Sequence, residues 1–137
     1  MIFVDTGPFL ARFILHDAHH RRARKTWAEI ERRRDRCSTS SFVLDETFTL
    51  LARRSSYSFA ADRARALLSS SALVILRPNA DDEGVAVDLF AKFADQQVSF
   101  TDCISFALMR RHRLDRAFTF DRHFAAAGFQ TMPGGSG

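Results

Sequence analysis

The chain has 137 residues, 46% hydrophobic and 26% charged, the size and balance of one globular domain around a single core. No apolar run approaches the ~20 residues of a membrane span, and the chain opens on a strand-like segment in place of a signal peptide, so a cytoplasmic protein is expected. Its 20 basic and 16 acidic residues leave a net charge of +4, and the isolated Cys37 and Cys103 give neither a disulfide framework nor a CxxC site.

In chain order, the unalternating apolar run Ile2-Phe3-Val4 predicts a short, fully buried strand over 1–4, closed by Asp5. Gly7-Pro8 turns the chain, with Pro8 suited to the first turn of a helix over 8–15. A connection over 16–20 leads to a charged amphipathic helix over 21–36, its apolar face carrying Ala23, Trp27 and Ile30. A second short strand is expected over 37–39, and Ser40 or Ser41 offers the cap for a helix reaching about Arg54. A helix over 59–68 precedes the strand Leu73-Val74-Ile75-Leu76. The next helix, over 81–94, places Val85, Leu89 and Phe93 at four-residue steps. The strongly apolar segment 100–112 reads as a central helix with Asp102 in its first turn. A last strand over 117–120 is closed by Asp121, and a short helix over 122–127 is stopped by Gly128. The terminal Pro-Gly-Gly-Ser-Gly over 133–137 reads as a flexible tail, leaving the domain to residues 1–132. Short apolar strands alternating with longer helices predict an α/β fold, a short central parallel sheet flanked by helices, with its ligand site outside the carboxyl ends of the strands.

Four acids stand out because each is embedded in apolar sequence: Asp5, Glu46, Asp102 and Asp121. A buried carboxylate is costly without a compensating cation or hydrogen-bond network, and four together repel one another. A bound divalent cation is the natural remedy, and a hard ion such as Mg2+ or Mn2+ prefers oxygen donors. Each acid also has a purely structural explanation. Asp121 can cap the last helix, Asp102 can answer a helix dipole, and Glu46 can be a surface neighbour of Asp45. Asp5, after a buried first strand, has the fewest routine partners. If the four hold metal, the remaining 12 acids face 20 basic residues, an acidic hole in a basic body that suits a polyanionic substrate.

The ordered set Ile2-Phe3-Val4-Asp5-Thr6, Leu44-Asp45-Glu46-Thr47, Ser99-Phe100-Thr101-Asp102 and Thr119-Phe120-Asp121-Arg122 resembles the PIN domain, and within it the VapC-type toxins of bacterial toxin–antitoxin pairs. The resemblance covers nearly the whole chain. It implies a metal-dependent endoribonuclease in which Asp5, Glu46, Asp102 and Asp121 hold Mg2+, or Mn2+ in its place, with Thr6 and Thr101 supporting the site. Glu46 is preferred to Asp45 because it matches the family's second acid, and the two point about 100° apart on a helix. Asp95 is an outlying candidate. The implied partners are RNA, a cognate antitoxin and a second copy in a homodimer. Helices over 23–30 and 42–51 are the candidate antitoxin groove.

Other features are weaker. His16-Asp17-Ala18-His19-His20 reads as a polar loop in which Asp17 caps the following helix, while His123 is close enough to Asp121 to touch substrate. Some of the basic runs at 21–25, 32–34, 53–54 and 110–113 should line the approach to the acids, where phosphate contacts set register rather than sequence. The 14 phenylalanines read as core. Asp5-Thr6-Gly7 matches the tripeptide of aspartic proteases, but those folds are all-β. A receiver domain needs a lysine after a late strand, which neither Lys25 nor Lys92 provides. The remaining alternatives are a PIN-like protein that binds RNA or a partner without cutting, and a PIN nuclease in RNA processing outside a toxin–antitoxin pair.

Overall fold

The structure is a computed structural model that describes residues 1–134; the tail expected over 133–137 lies outside the described residues from 135 onward. Five short strands form one parallel sheet in the order β3-β2-β1-β4-β5: β1 (Ile2–Val4), β2 (Cys37–Ser40), β3 (Leu73–Leu76), β4 (Arg116–Phe118) and β5 (Gln130–Met132). The helices between them are α1 (Thr6–Phe13), α2 (His20–Arg33), α3 (Ser41–Arg54), α4 (Tyr57–Ser69), α5 (Ala80–Lys92), α6 (Phe100–Arg111) and α7 (His123–Ala126). A 3₁₀ turn, Ala94–Gln96, joins α5 to α6.

Strand register divides the core into two faces. Val4 and Phe118 are Cα partners, as are Phe3 and Ala117, so successive residues point to opposite sides of the sheet. Phe118 meets Trp27 of α2, whose ring lies 5.7 Å from Phe9 of α1. Phe3 meets Phe124 of α7, which packs at 5.0 Å on Phe106 of α6. α6 is central as its apolar sequence requires: every residue from Asp102 to Met109 is buried.

The structure corrects several boundaries. α1 begins at Thr6, with Asp5 as its N-cap residue, so Gly7 and Pro8 lie inside the helix. α2 ends at Arg33 because Arg34 takes a left-handed φ of 55°, and the Asp35 N–H bonds back to the Ile30 carbonyl. β4 ends at Phe118, so Asp121 sits in the loop beyond the sheet. Only the Thr119 N–H extends the ladder, to the Met132 carbonyl of the unforeseen strand β5. In α5 the buried positions are Asp82, Ala86 and Leu89, whereas Val85 is 44% exposed. Asp82 closes a capping box with Asn79 and forms a bidentate ion pair with Arg111 at 2.8 Å, which turns that face toward α6. Of the helices expected to form the antitoxin groove, Ala23, Ile30, Val43, Leu44 and Leu51 are buried in core clusters of the chain itself, while Trp27, Phe42 and Phe48 are partly buried.

Candidate active site

Because the sheet is parallel, β1, β2 and β4 all deliver their carboxyl ends to one edge. There the strand order turns about β1, between β2 and β4, and leaves a crevice. Asp5 follows β1 directly. Ser40 ends β2 and caps α3, accepting the Val43 N–H at 3.0 Å, which starts the helix about one and a half turns before Glu46 faces the crevice. Ser99 caps α6 in the same way, accepting the Asp102 N–H at 3.1 Å. Asp121 arrives on the loop after β4, its Oδ1 accepting the His123 N–H at 2.8 Å. Asp121 is not the cap of α7, whose N-cap is Arg122; its carboxylate, bonded to the His123 N–H two residues on, lines the crevice.

The result is a hollow of about 540 Å³ lined by Asp5, Glu46, Asp102 and Asp121, with Thr6, Ser99, Phe120 and His123 among the other walls. All four predicted acids meet there. Asp45 is exposed, as is Asp95, and neither lines the hollow. Thr6 does, and its buried Oγ1 has no hydrogen-bond partner. Thr101 does not: its carbonyl accepts the Ser105 hydroxyl inside α6, and Ser99 supplies the hydroxyl on that wall.

One contributor, Thr119, escapes the sequence reading, and another, His123, is expected there only as a substrate contact. Thr119 donates to Asp5 Oδ2 at 2.8 Å and accepts the Asp121 N–H at 2.9 Å, bracing the first and fourth acids with one hydroxyl. His123 places Nδ1 2.8 Å from Asp121 Oδ1 and 3.8 Å from Asp102 Oδ2. Neither of its buried ring nitrogens makes a directed hydrogen bond. Thr119 resembles an ordinary strand threonine, and only the pairing of β1 with β4 reveals its reach. His123 carried a signal in its two-residue spacing from Asp121.

The electrostatics follow from crowding. Burial pushes Asp5 up to about 6, against the pull of the Thr6 backbone N–H and the Thr119 hydroxyl; Asp121 and Glu46 add to the rise. Burial pushes Asp102 up to about 9, reinforced by the charges of Asp5 and Asp121, by a side-chain hydrogen bond with Asp121 and by the charge of Glu46. Atoms of Asp102, Asp121 and His123 all lie within 4.8 Å of one another. Two buried acids driven toward neutrality, two further carboxylates and an unpartnered hydroxyl form a donor set that a divalent cation fits, since it would restore the charged state of each acid.

The PIN domain family matches residues 2–130, and the chain belongs to that family. It is 38% identical over 129 residues to the 23S rRNA-specific endonuclease VapC20 of Mycobacterium tuberculosis, in both the CDC 1551 and H37Rv strains, covering 94% of this chain and 95% of the relative. A crystal structure of M. tuberculosis VapC20, described as a sarcin–ricin loop cleaving toxin, superposes with a TM-score of 0.86 at 36% identity. That match covers 94% of this chain and 96% of the other.

Proposed function

We propose that this PIN-domain chain is a divalent-metal-dependent endoribonuclease and the toxin of a toxin–antitoxin pair. The observation that carries the reading is the convergence of four acids from four separate elements on the crevice between β1 and β4. Asp5, Glu46, Asp102 and Asp121 would hold Mg2+, or Mn2+ in its place, with His123 beside them. Such an ion activates water and neutralises charge on the phosphoryl oxygens.

The chain's own groups do the positioning. Thr119 fixes the Asp5 carboxylate, and the His123 backbone N–H fixes that of Asp121. The His123 imidazole lies 2.8 Å from Asp121 at the rim of the acid set. Water attacks phosphorus in line with the departing 3′ oxygen, the P–O3′ bond breaks, and the products carry a 5′-phosphate and a 3′-hydroxyl. The target named for the VapC20 relatives, 23S rRNA and its sarcin–ricin loop, is the proposed substrate. A cognate antitoxin and a homodimer complete the proposal; Val85, Val87 and Phe90 on α5 provide exposed apolar surface for such contacts. Among the described residues no helix is long and apolar enough to cross a membrane.

The test is incubation of bacterial total RNA with purified protein in Mg2+, Mn2+ or EDTA, followed by mapping of the fragment ends. Discrete metal-dependent cuts with 5′-phosphate ends are expected. Fragments ending in 2′,3′-cyclic phosphate would contradict the proposed chemistry.

A further inference from the structure

The acid hollow repels its own substrate, so a polyanion must be held by cations outside it. Phe120 is where the hollow meets such cations. It lines the hollow, and the His19 ring stacks on it at 4.3 Å with planes 9° apart. The Arg22 guanidinium lies over the same ring at 5.4 Å. This corner is braced: Asp17 accepts the His19 N–H at 2.8 Å through one oxygen and Arg54 at 2.8 Å through the other. Phe120 also sits against Gly7, where an added Cβ would come within 3.4 Å of the ring.

From Arg22 a second groove, of about 500 Å³, runs between α2 and β5, with Lys25, Arg33 and Arg116 on its walls and Glu29 as its one acid. Residues 22, 25, 29 and 33 recur at helical spacing, so they share one face of α2 over about 16 Å. Arg22, Lys25 and Arg33 are exposed and make no ion pair among the described residues, leaving three cations free for an anionic strand. Arg116 is half-committed to Asp35 at 4.0 Å.

We propose that this face of α2, opposite β5, is the track that seats the RNA backbone flanking the scissile phosphate, with the His19–Phe120 stack as its junction with the acid hollow. The inference rests on the ribonuclease reading. Backbone contacts of this kind are independent of sequence, and their loss shows as weaker affinity with a shallower salt dependence.

The experiment compares Lys25→Glu/Arg33→Glu with Arg24→Glu/Arg32→Glu, which makes the same charge change on exposed positions of α2 outside this groove. Affinity for a labelled random-sequence single-stranded RNA is measured at several salt concentrations on an Asp102→Asn background, and KM and kcat for total RNA on the wild-type background. The track pair should weaken binding and raise KM at least tenfold, with kcat nearly kept and the salt slope reduced by about 1.4. The other pair should change affinity less than threefold. Equal losses in the two pairs, or undiminished RNA affinity in the track pair, would overturn the track and leave the nuclease standing. Wild type that neither binds nor cuts RNA would overturn both.

Discussion

Thr119 and Asp5 lie 114 residues apart, yet the threonine hydroxyl donates to Asp5 Oδ2 at 2.8 Å. The pairing of β1 with β4 creates this contact, and the same oxygen receives the Asp121 N–H. Replacing Thr119 by valine keeps the shape but leaves Asp5 without its donor and the Asp121 amide without its acceptor. Such supporting groups are worth about 10–100-fold in metal affinity or activity. Thr119→Val should therefore lose that much cleavage rate, while Thr119→Ser keeps most of it. Equal activity in the two variants would show that the hydroxyl does not brace the acids.

The raised acids make a signed prediction about pH. Asp5 is pushed up to about 6 and Asp102 up to about 9, so without metal the folded chain retains protons that the unfolded chain has released. Stability then falls as pH rises through this window. Asp82, held below the usual carboxylate range by Arg111, has made its full contribution above about pH 5 and does not mask the trend. Melting of EDTA-treated protein should drop steadily between about pH 5 and 9, and Asp102→Asn should flatten the drop. A metal-free melting temperature that climbs across this range would contradict the assignment.

Metal should reverse that loss. An ion held by the folded arrangement of the four acids should raise the wild-type melting temperature when Mn2+ or Mg2+ is added at millimolar concentration. Asp5→Asn should blunt the rise without unfolding the metal-free protein. An equal rise in both proteins would place the cation elsewhere.

Away from the site, Asp82 accepts the Asn79 N–H in the capping box of α5 and pairs with Arg111 of α6 while 3% exposed. Asp82→Ala removes its half of the capping box and the ion pair together and should cost about 1–2 kcal/mol in urea unfolding. Cleavage per folded molecule should stay at the wild-type level. A specific loss of activity at unchanged stability would mean that this pair reaches the site.

Much of this architecture is legible in the chain because the signals are local. Leu73-Val74-Ile75-Leu76 is an uninterrupted apolar run, and β3 has those limits. Ser40 and Ser99 each stand three residues before the backbone N–H they cap, which fixes where α3 and α6 begin. The acids were visible because charge in an apolar run demands a reason. β5 was not, since Gln130-Thr131-Met132 has no apolar pattern and becomes a strand only by pairing with β4. Val85 misled because four-residue spacing fits two neighbouring helix faces, and the Asp82–Arg111 pair selects the other one. Thr119 gains its place through a tertiary contact with Asp5 that spacing alone does not encode.

The most direct test of the acid site is single-turnover cleavage of 23S rRNA in Mn2+ by the wild type, Asp5→Asn and Asp102→Asn, each checked for folding. Wild type should release discrete fragments that EDTA abolishes, and each variant should be slower by at least about 100-fold, beyond the loss expected for a supporting group. Folded Asp5→Asn and Asp102→Asn proteins that cut at the wild-type rate would contradict the assignment of these acids to catalysis.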